Sequence, residues 1–479
     1  MKKTTKKKTP TKIIRCEKIL IDRYPRLNEL FRISKNLYNI VGYYMRNGLE
    51  SLDKDYREKY SITEPHDLHK KNNSEEICKR PRKFNLTWYL KYNENYKMLG
   101  TNPSNNILMA THKTWIGFYA QIKEWNADPV KYCIKRGIDP KKIAEGKCKP
   151  HEPYFKGPND EYLFAVTFGT LKTDNRSIYF APKFLELEPI KTCLDFTNST
   201  RIYKQVRIIP MMDNKARVEI IYEEPQSSIR FDPSKILSID LGGAIPLCVV
   251  TNISAKPMLF GEGIKEINKD YNIKRSDYKS KEDLKHRNLA IHDSRRYRES
   301  KRLEKITQKR DLLLEPRIHR ITKTLIDLCI ENGIGNIVVG KNDGWKNEVE
   351  LGKNNNRNFT SIPHEKFLQQ LEYKCKSSGI VYQEIEESHT SKTSLLDLES
   401  VEHHDNYVGD RRDSRGNRVF ISKEGIRIHS DVNGAYNIMR KAFPDSINES
   451  NVKNLLIEPI HIEDTAQLSY KNIKSIIFA

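Results

Sequence analysis

The stretch KILSIDLGGAIPLCVVTN, residues 235–252, carries a single carboxylate, that of Asp240, at the end of an apolar run and then two glycines. Its two apolar halves and the run PMLFGEG that follows are close enough to form a meander of three strands. A carboxylate in that place is either a buried aspartate that backbone donors satisfy or a functional acid. The elements that follow along the chain favour the second interpretation.

The segments after this meander alternate between helical and strand patterns. A long basic helical region covers about residues 281–330, and Pro316 is expected to divide it into two helices. There follow a strand GNIVVG, a helix PHEKFLQQLEYKCKSSG that begins at Pro363, a strand IVYQEIEES and a helix DVNGAYNIMRKAF. This order predicts an RNase H-like domain. The last segment, 446–479, contains NLLIEPIHIED, which predicts one strand.

Asp240 and Asp431 lie at the two ends of this predicted domain. A nuclease with an RNase H-like fold needs carboxylates from separate elements that converge on the first strand, because oxygen ligands must hold two Mg2+ ions that activate water. Asp240 ends the first strand, and Asp431 begins the last helix. The plain alternative for Asp431 is an ordinary helix N-cap. Together, in a basic chain, the two aspartates favour a metal-dependent nuclease.

The chain before residue 235 divides into a helical part and a strand-rich part. From about residue 20 to 145, apolar residues recur every three or four positions, with Arg32, Lys35 and Arg46 interleaved. The apolar stripe is expected to form core and the basic face to be available for binding. From about 150 to 230, short alternating runs separated by Asp, Asn, Gly and Pro predict a compact β domain, a small barrel.

Charge and cysteine content narrow the class of protein. The 479 residues include 84 Lys and Arg against 63 acidic residues, and the net charge of +21 favours a polyanionic partner over a charge that serves solubility alone. The eight cysteines are scattered without a C-x-x-C pair, which predicts reduced thiols and neither a disulfide frame nor a zinc knuckle. Because no long apolar run occurs, secretion and membrane insertion are not expected.

Actin-like sugar kinases are a rival class, since they share this strand order and an I-D-L-G-G start that faces ATP phosphates. They would also carry a second D-x-G phosphate turn and a Gly-rich adenosine loop. SDVNGAYN is a poor second phosphate loop, and no adenosine loop is found in the sequence. The kinase interpretation explains neither the positive charge nor the helical N-terminal half of the chain, so it is the weaker alternative.

Several stretches, in one order along the chain, carry a family resemblance. They are RISKNLYNIVGYYMR, KTCLDF, QVRIIP, SIDLG, NIVVGKNDGWKNE, NFTSIPHEKFLQQLEYKCKSSGI, EESHTSK and DVNGAYNIMRKAFP. On these stretches the chain resembles, over nearly its whole length, the transposon-encoded TnpB family of RNA-guided nucleases, which is related to type V CRISPR effectors and Fanzor proteins. The last four are similar to one TnpB subgroup in particular.

The resemblance implies an α+β multidomain protein, in which a wedge-like β-barrel with an inserted helical recognition domain precedes an RNase H-like (RuvC) nuclease domain. The implied segments are a basic arm with the first wedge strand (1–20), the helical recognition domain (21–148), the wedge barrel (149–232), the RuvC domain (233–390), an insertion in place of the zinc-finger or target-nucleic-acid-binding domain (391–428), the RuvC C-terminal helix (429–445) and a tail (446–479).

The resemblance also implies the partners. A guide RNA would pair with one strand of double-stranded target DNA, beside a short motif that the protein reads. The DNA would be cleaved with two Mg2+ ions in the RuvC site. No membrane partner is expected. The sequence does not give the oligomeric state, for which a monomer per guide RNA is favoured. We expect a cytoplasmic or nucleoid location in a prokaryote, or a nuclear one in a eukaryotic host. The alternative is an inactive relative that keeps guide RNA and DNA binding and acts as a regulator.

The middle catalytic carboxylate of the family pattern is missing from its usual place. In most members the strand that matches NIVVG ends in glutamate, and here that place is Gly340. The neighbouring strand ends with Glu386 and Glu387, and a side chain there could reach across the space that glycine leaves. Glu387 is the first choice and Glu386 the second, while Glu348 and Glu350 remain open. The predicted catalytic residues and Mg2+ ligands are Asp240, Glu387 and Asp431.

The zinc finger of typical members is also missing, since residues 391–430 contain no cysteine. The histidines in or next to this insertion lack the regular spacing of a zinc site, so none is predicted. They are His389, His403, His404 and His429. The residues expected to bind nucleic acid are Arg32, Lys35, Arg46, Lys341, Lys346, Lys392, Arg411 and Arg412, with Arg415 and Arg418 of the same insertion guiding a DNA strand.

Overall fold

The computed structural model describes most of the chain, with gaps. The described residues are 12–47, 86–87, 90–143, 148–180, 186–227, 229–242, 245–288, 301–341, 363–414, 417–450, 452–455 and 457–479. Four residues named above, Lys346, Glu348, Glu350 and Arg415, lie outside them. Contacts divide the chain into two units, residues 14–224 and residues 225–479 with 1–13.

The helices of residues 14–224 bury the apolar stripe that the sequence predicts. They are α1 (Pro25–Asn47), α2 (Glu94–Leu99), α3 (Thr101–Ala127) and α4 (Pro129–Lys135). Phe31 and Leu37 of α1 belong to the same buried cluster as Trp115 of α3. The stripe is therefore core, as predicted. Proline at the first position of α1 and of α4 suits a helix start, because its fixed φ is already helical.

The strands of this unit form two open sheets. They are β1 (Lys12–Asp22), β2 (Phe164–Thr167), β3 (Leu171–Asp174), β4 (Ser177–Phe180), β5 (Ile190–Lys191), β6 (Ile202–Pro210) and β7 (Lys215–Pro225). One sheet has the order β1-β7-β6-β2 and the other β3-β4-β5. The predicted barrel is wrong for the described residues, which form no closed barrel. Four strands are too few to close around their own side chains.

The strands of residues 225–479 form a mixed sheet and a smaller one. They are β8 (Asp232–Leu241), β9 (Leu247–Thr251), β10 (Met258–Phe260), β11 (Ile334–Gly340), β12 (Val381–Ile385), β13 (Asp410–Ser414), β14 (Asn417–Ile421), β15 (Arg427–His429) and β16 (Ile460–Ile462). The mixed sheet has the order β12-β11-β8-β9-β10-β16. Strands β8, β9 and β10 form the predicted antiparallel meander, and β11 and β12 run parallel to β8.

The helices of this unit differ from the sequence-based expectations in two places. They are α5 (Glu262–Asn288), α6 (Lys301–Asn332), α7 (His364–Ser378), α8 (Ser430–Ala442) and α9 (Tyr470–Ile477). The basic helical region thus begins at Glu262, and Pro316 lies inside α6 without ending it. Burial of Leu314, Ile318 and Ile321 on the core side of α6 compensates for the backbone hydrogen bond that proline removes.

The segment 391–428, for which the sequence shows no strong period, contains the antiparallel strands β13 and β14. The predicted strand near the C-terminus is β16, which pairs in parallel with β10. Helix α9 follows it and was not predicted, although Tyr470, Ile473 and Ile477 have helical spacing and are buried. Among the described helices, none combines the length and apolar character required to cross a membrane.

The two faces of the mixed sheet are covered by different elements. On one face, Leu237 and Ile239 of β8 belong to a large apolar cluster with residues of α6 and α7. On the other face, Ile236 of β8 and Val338 of β11 belong to a second cluster that includes the buried side of α8. Because strand side chains alternate between faces, Ser238 and Asp240 point to the side of α8.

Candidate metal-dependent nuclease site

The ends of three parallel strands meet at one edge of the mixed sheet. Val339 of β11 is in register with Ile239 of β8, and Gly340 is in register with Ile385 of β12. Asp240, one residue beyond Ile239, therefore lies beside the Gly340 position. Ile385 packs in the cluster on the α8 face, and Glu387 is two residues further along, on the same face by the two-residue period.

Glu387 occupies the space beside Gly340. A Cβ atom built on Gly340 would lie 2.8 Å from Glu387 Oε2 and 3.1 Å from Glu387 Cβ. It would also lie 2.5 Å from Ile438 Cδ1 of α8. A side chain at residue 340 would therefore force the ends of the Glu387 and Ile438 side chains to move, so glycine leaves the room in which the Glu387 carboxylate lies. Glu386, in contrast, pairs with Lys441 at 3.1 Å, and its side chain is 60% exposed.

Helix α8 brings the third predicted residue to this edge. Asp431 lies in its first turn and is buried. The N-cap is His429, whose Nδ1 accepts a hydrogen bond from the Asp431 backbone N–H at 3.3 Å, so Asp431 is not the cap. A Cβ on Gly434 would lie 2.7 Å from Asp240 Oδ2. The absence of a side chain at residue 434 thus lets the Asp240 carboxylate approach the helix backbone.

The three carboxylates influence one another electrostatically. Burial raises the pKa of Asp240 well above its ordinary range, and repulsion from Glu387 and Asp431 adds to this effect. Arg411 and Arg418 oppose the rise. Burial, with repulsion from Glu386, raises the pKa of Glu387 to about 7. Two acids with raised pKa values and a third buried beside them make a site at which a cation is favourable.

Polar side chains of α8 anchor the site on both sides. Ser238 Oγ of β8 donates to Ala435 O at 2.7 Å, which ties the first strand to the helix. Asn433 Nδ2 donates to Thr393 O at 2.9 Å, and Asn437 Nδ2 donates to Thr390 O at 3.0 Å. Thr390 in turn donates from Oγ1 to Glu387 O at 2.8 Å. The backbone that carries Glu387 is therefore held against the helix that carries Asp431.

The β13–β14 hairpin places two arginines against Asp431. Arg418 Nη2 donates to Asp431 Oδ1, and Arg411 Nη2 lies 3.7 Å from the same oxygen. Asp413 of the same hairpin accepts from Arg411 Nε at 2.8 Å and from Ser430 Oγ at 2.7 Å. Burial acts to raise the pKa of Asp413, but these hydrogen bonds outweigh it and lower the pKa.

The chemistry of the donor set suits Mg2+. Carboxylate oxygens are the ligands that Mg2+ prefers, and Asp431 Oδ2 is buried with no hydrogen-bond partner among the described residues. Asp240, as described, is repelled by its two acidic neighbours. A cation between the acids would give Asp431 Oδ2 a partner and would offset the repulsion on Asp240. In the part of the chain that the structure describes, no three His, Cys, Asp or Glu side chains stand close enough together to hold a metal as they are.

The basic residues predicted to bind nucleic acid have varied surroundings. Lys35 is buried, and its Nζ donates to Pro158 O at 3.2 Å, which argues against the predicted phosphate contact. Arg46 pairs with Glu152 at 2.7 Å and lies over the Phe155 ring. Arg32 is exposed and lines a cavity of about 400 Å³.

The remaining basic residues lie in the unit of residues 225–479. Lys341 pairs with Glu384 at 3.1 Å, and Arg412 pairs with Asp410 at 2.7 Å. Lys392 lies over the Tyr407 ring. Arg411 is directed at Asp431. The roles of these residues in binding nucleic acid remain predictions.

Sequence reasoning missed the residues that position the acids. Gly434, Asn433 and Asn437 all lie in DVNGAYN, and Thr390 and Thr393 lie in or next to the stretch EESHTSK. The sequence did contain a signal for these residues: two asparagines lie four residues apart on an amphipathic helix, and a Thr-rich segment precedes that helix in the chain. A buried asparagine needs partners, and the nearby backbone of such a segment can supply them.

The chain is similar to known proteins in sequence. Residues 364–438 match the family model described as the TNB domain of Cas12f1-like proteins. The TnpB-like protein ORF457 of Acidianus two-tailed virus is 25% identical over 375 residues, which are 75% of this chain and 77% of that protein.

Solved structures show weaker likeness. A cryo-EM structure of a Cas12f1–sgRNA–target DNA complex gives a TM-score of 0.43 at 14% identity, over 87% of this chain and 83% of that one. The mini-RNA-guided endonuclease CRISPR-Cas_phi3 gives 0.38 at 12% identity, over 90% and 92%. On the sequence matches, the predicted resemblance is confirmed: the chain is similar to a TnpB-like protein, and residues 364–438 are similar to the TNB domain of Cas12f1-like proteins.

Proposed function

We propose that the protein is an RNA-guided DNA endonuclease with an RNase H-like (RuvC) core, in which Asp240, Glu387 and Asp431 hold two Mg2+ ions. The observation that carries the proposal is the position of Glu387, whose carboxylate lies 2.8 Å from where a Cβ of residue 340 would be. An acid that moves from one strand to its neighbour must leave a small residue behind and fill the space beside it. Gly340 and Glu387 meet both requirements.

The chain's own residues would hold the acids in place. Bound Mg2+ would supply Lewis acidity at the phosphate oxygens of the DNA. Asp240 ends a strand that is paired with a neighbour on each side, and Gly434 lets its carboxylate lie against α8. Asn437 and Thr390 fix the backbone at Glu387. These contacts support the proposal because they hold three separate elements with their carboxylates at the same edge of the sheet, and a metal site requires ligands that are positioned in advance.

The proposed partners are a guide RNA and double-stranded target DNA. The net charge of +21 supports binding to a polyanion, because each neutralised phosphate releases counterions. The likeness to TnpB-like proteins supports guide-directed pairing as the means of choosing a target. The match to a TNB domain over residues 364–438 supports contact of this segment with the target strand.

The test compares two neighbouring glutamates. The protein is expressed with the DNA that flanks its gene, the co-purifying RNA is sequenced, and a matched DNA target library is added with Mg2+ or EDTA. Glu387→Gln is expected to slow cleavage by about a hundredfold or more, which corresponds to roughly 3 kcal/mol of transition-state stabilisation. The matched control Glu386→Gln, at an exposed position, should stay within about threefold of the wild type.

Each outcome has a distinct meaning. Loss of cleavage in Glu386→Gln with normal cleavage in Glu387→Gln would refute the assigned acid. Guide-dependent retention of DNA without cleavage by the wild type would make the protein a binding regulator instead of an enzyme. Absence of any co-purifying RNA would refute the RNA-guided function as a whole.

A further inference from the structure

The arginines of the β13–β14 hairpin, residues 410–421, differ in whether they face the carboxylate of Asp431. Arg411 and Arg418 both approach Asp431, and their side chains are only 30% and 24% exposed. Arg412, which lies between them on the sheet, points away, pairs with Asp410 at 2.7 Å and is 68% exposed. Two partly buried cations therefore face an acid assigned above to bind metal, while a third does not.

Asp413 offers these arginines a second acceptor. Its Oδ2 accepts from Arg411 Nε at 2.8 Å and lies 3.7 Å from Arg418 Nη2. Its Oδ1 accepts from Ser430 Oγ at 2.7 Å, so the carboxylate is held in place independently of either arginine. Ser430 directly precedes Asp431, and the two acids therefore have a fixed spacing. A guanidinium can shift between them with little motion, because its forked donors serve two acceptors.

We infer that Arg418, supported by Arg411, is a counter-ion that competes with metal for Asp431, and that Asp413 accepts the arginines when metal displaces them. The inference rests on the proposed function, because it takes Asp431 as a metal ligand. A buried carboxylate is costly without a positive partner, and the guanidinium supplies that partner before metal binds. Metal affinity is then set by the exchange of one cation for another, and not by the carboxylates alone.

The test measures binding of Mn2+ to the purified full-length protein without nucleic acid, by electron paramagnetic resonance of the free ion at one pH and ionic strength. Arg418→Gln should bind Mn2+ about fivefold or more tightly than the wild type, because the competing cation is gone. Asp413→Asn should bind it several-fold more weakly, since the displaced arginines lose their second acceptor.

Charge-matched controls come from the same hairpin. Arg412→Gln and Asp410→Asn make the same changes in net charge within an exposed pair and should stay within about twofold of the wild type. If Arg418→Gln binds Mn2+ no more tightly than Arg412→Gln, the inference is wrong. If Arg418→Gln binds more weakly, Arg418 positions Asp431 instead of competing for it, and the inference is equally wrong.

Asp240→Asn separates this inference from the proposed function. If that variant keeps the wild-type Mn2+ affinity, the metal assignment of the proposed function fails, and the inference fails with it. If Asp240→Asn abolishes binding but Arg418→Gln does not tighten it, only the inference fails. Should Arg418→Gln not fold, Arg418→Lys replaces it. Lysine keeps the charge but cannot serve both acids in a fork, so a tighter Mn2+ affinity than that of the charge-matched control Arg412→Lys is expected, and an equal or weaker one overturns the inference.

Discussion

The two faces of the mixed sheet have different contents, although the same strands form both. The face toward α6 and α7 is apolar, with Leu237, Ile239 and Val339 fully buried. The face toward α8 buries Ser238 and holds Asp240 beside apolar neighbours. Apolar packing has no directional requirement, whereas each polar group needs a specific partner. The apolar face thus contributes to stability, whereas the face toward α8 gives up part of that stability because it holds the acids in fixed orientations.

The largest expected effect is on the α8 face. Asp240→Asn should reduce DNA cleavage by about a thousandfold or more, while RNA binding is retained, because removing one acid disrupts metal binding worth several kcal/mol. The same change should stabilise the metal-free protein. The raised pKa of Asp240 means that its stability contribution is lost as the pH rises above its ordinary value of about 3.9, and asparagine avoids that loss.

Cleavage assays and thermal unfolding in EDTA over a pH series measure the two effects. Asp232→Asn, at the opposite end of β8, is the control for loss of one negative charge. Cleavage by Asp240→Asn, or an unfolding temperature below that of the wild type at neutral pH, would contradict the assignment.

On the apolar face, substitutions should change the free energy of unfolding more than the α8-face substitution does. Ile239→Ala removes a fully buried side chain next to Asp240 and should lower the free energy of unfolding by about 2–5 kcal/mol. Val381→Ala on the edge strand β12, where Val381 is 58% exposed, should cost less than about 0.5 kcal/mol. Urea unfolding followed by circular dichroism measures both. Equal losses in the two variants would mean that this face does not carry the stability.

Returning the acid to its usual strand sharpens the comparison. Gly340→Glu alone should lower cleavage, because its Cβ would collide with Glu387 at 2.8 Å. In the double variant Gly340→Glu with Glu387→Gly, the contact with Glu387 is gone and only the end of the Ile438 side chain must shift, so cleavage should recover about tenfold relative to Glu387→Gly. Cleavage rates of the four proteins form a complete cycle. Purely additive losses would show that the two positions do not share one site.

The smallest expected effect is that of zinc removal. The loop between β12 and β13 has internal hydrogen bonds, including His389 Nδ1 with Tyr407 Oη at 2.8 Å and Ser394 N to Glu399 Oε2 at 2.8 Å. A zinc-selective chelator should therefore change the unfolding temperature by no more than about one degree, within the usual range of surface changes. Metal analysis of the purified protein is the direct measurement. A stoichiometric zinc content would contradict the prediction.

Much of the fold of residues 225–479 was predictable because its signals are local. Alternating apolar runs identified the meander, Pro363 marked the start of α7, and the two-residue period placed Glu387 on the correct face. Asp240 and Asp431 were identifiable as strand-end and helix-start acids in a basic chain. The barrel was predicted wrongly because strand patterns do not reveal which edges pair. Pro316 was misjudged because a local hydrogen-bond loss was weighed without the packing around it.

The amino-acid sequence alone was enough to predict most of the strand and helix order of residues 225–479, the positive charge and two of the three proposed acids, since each depends on residues near in sequence. The packing of Glu387 beside Gly340, the arginines at Asp431 and the role of glycine at residue 434 depend on contacts between distant segments. Whether a carboxylate is exposed or pressed against a glycine is a matter of a few ångströms between elements. Such distances arise only when side chains pack, and no local pattern contains them.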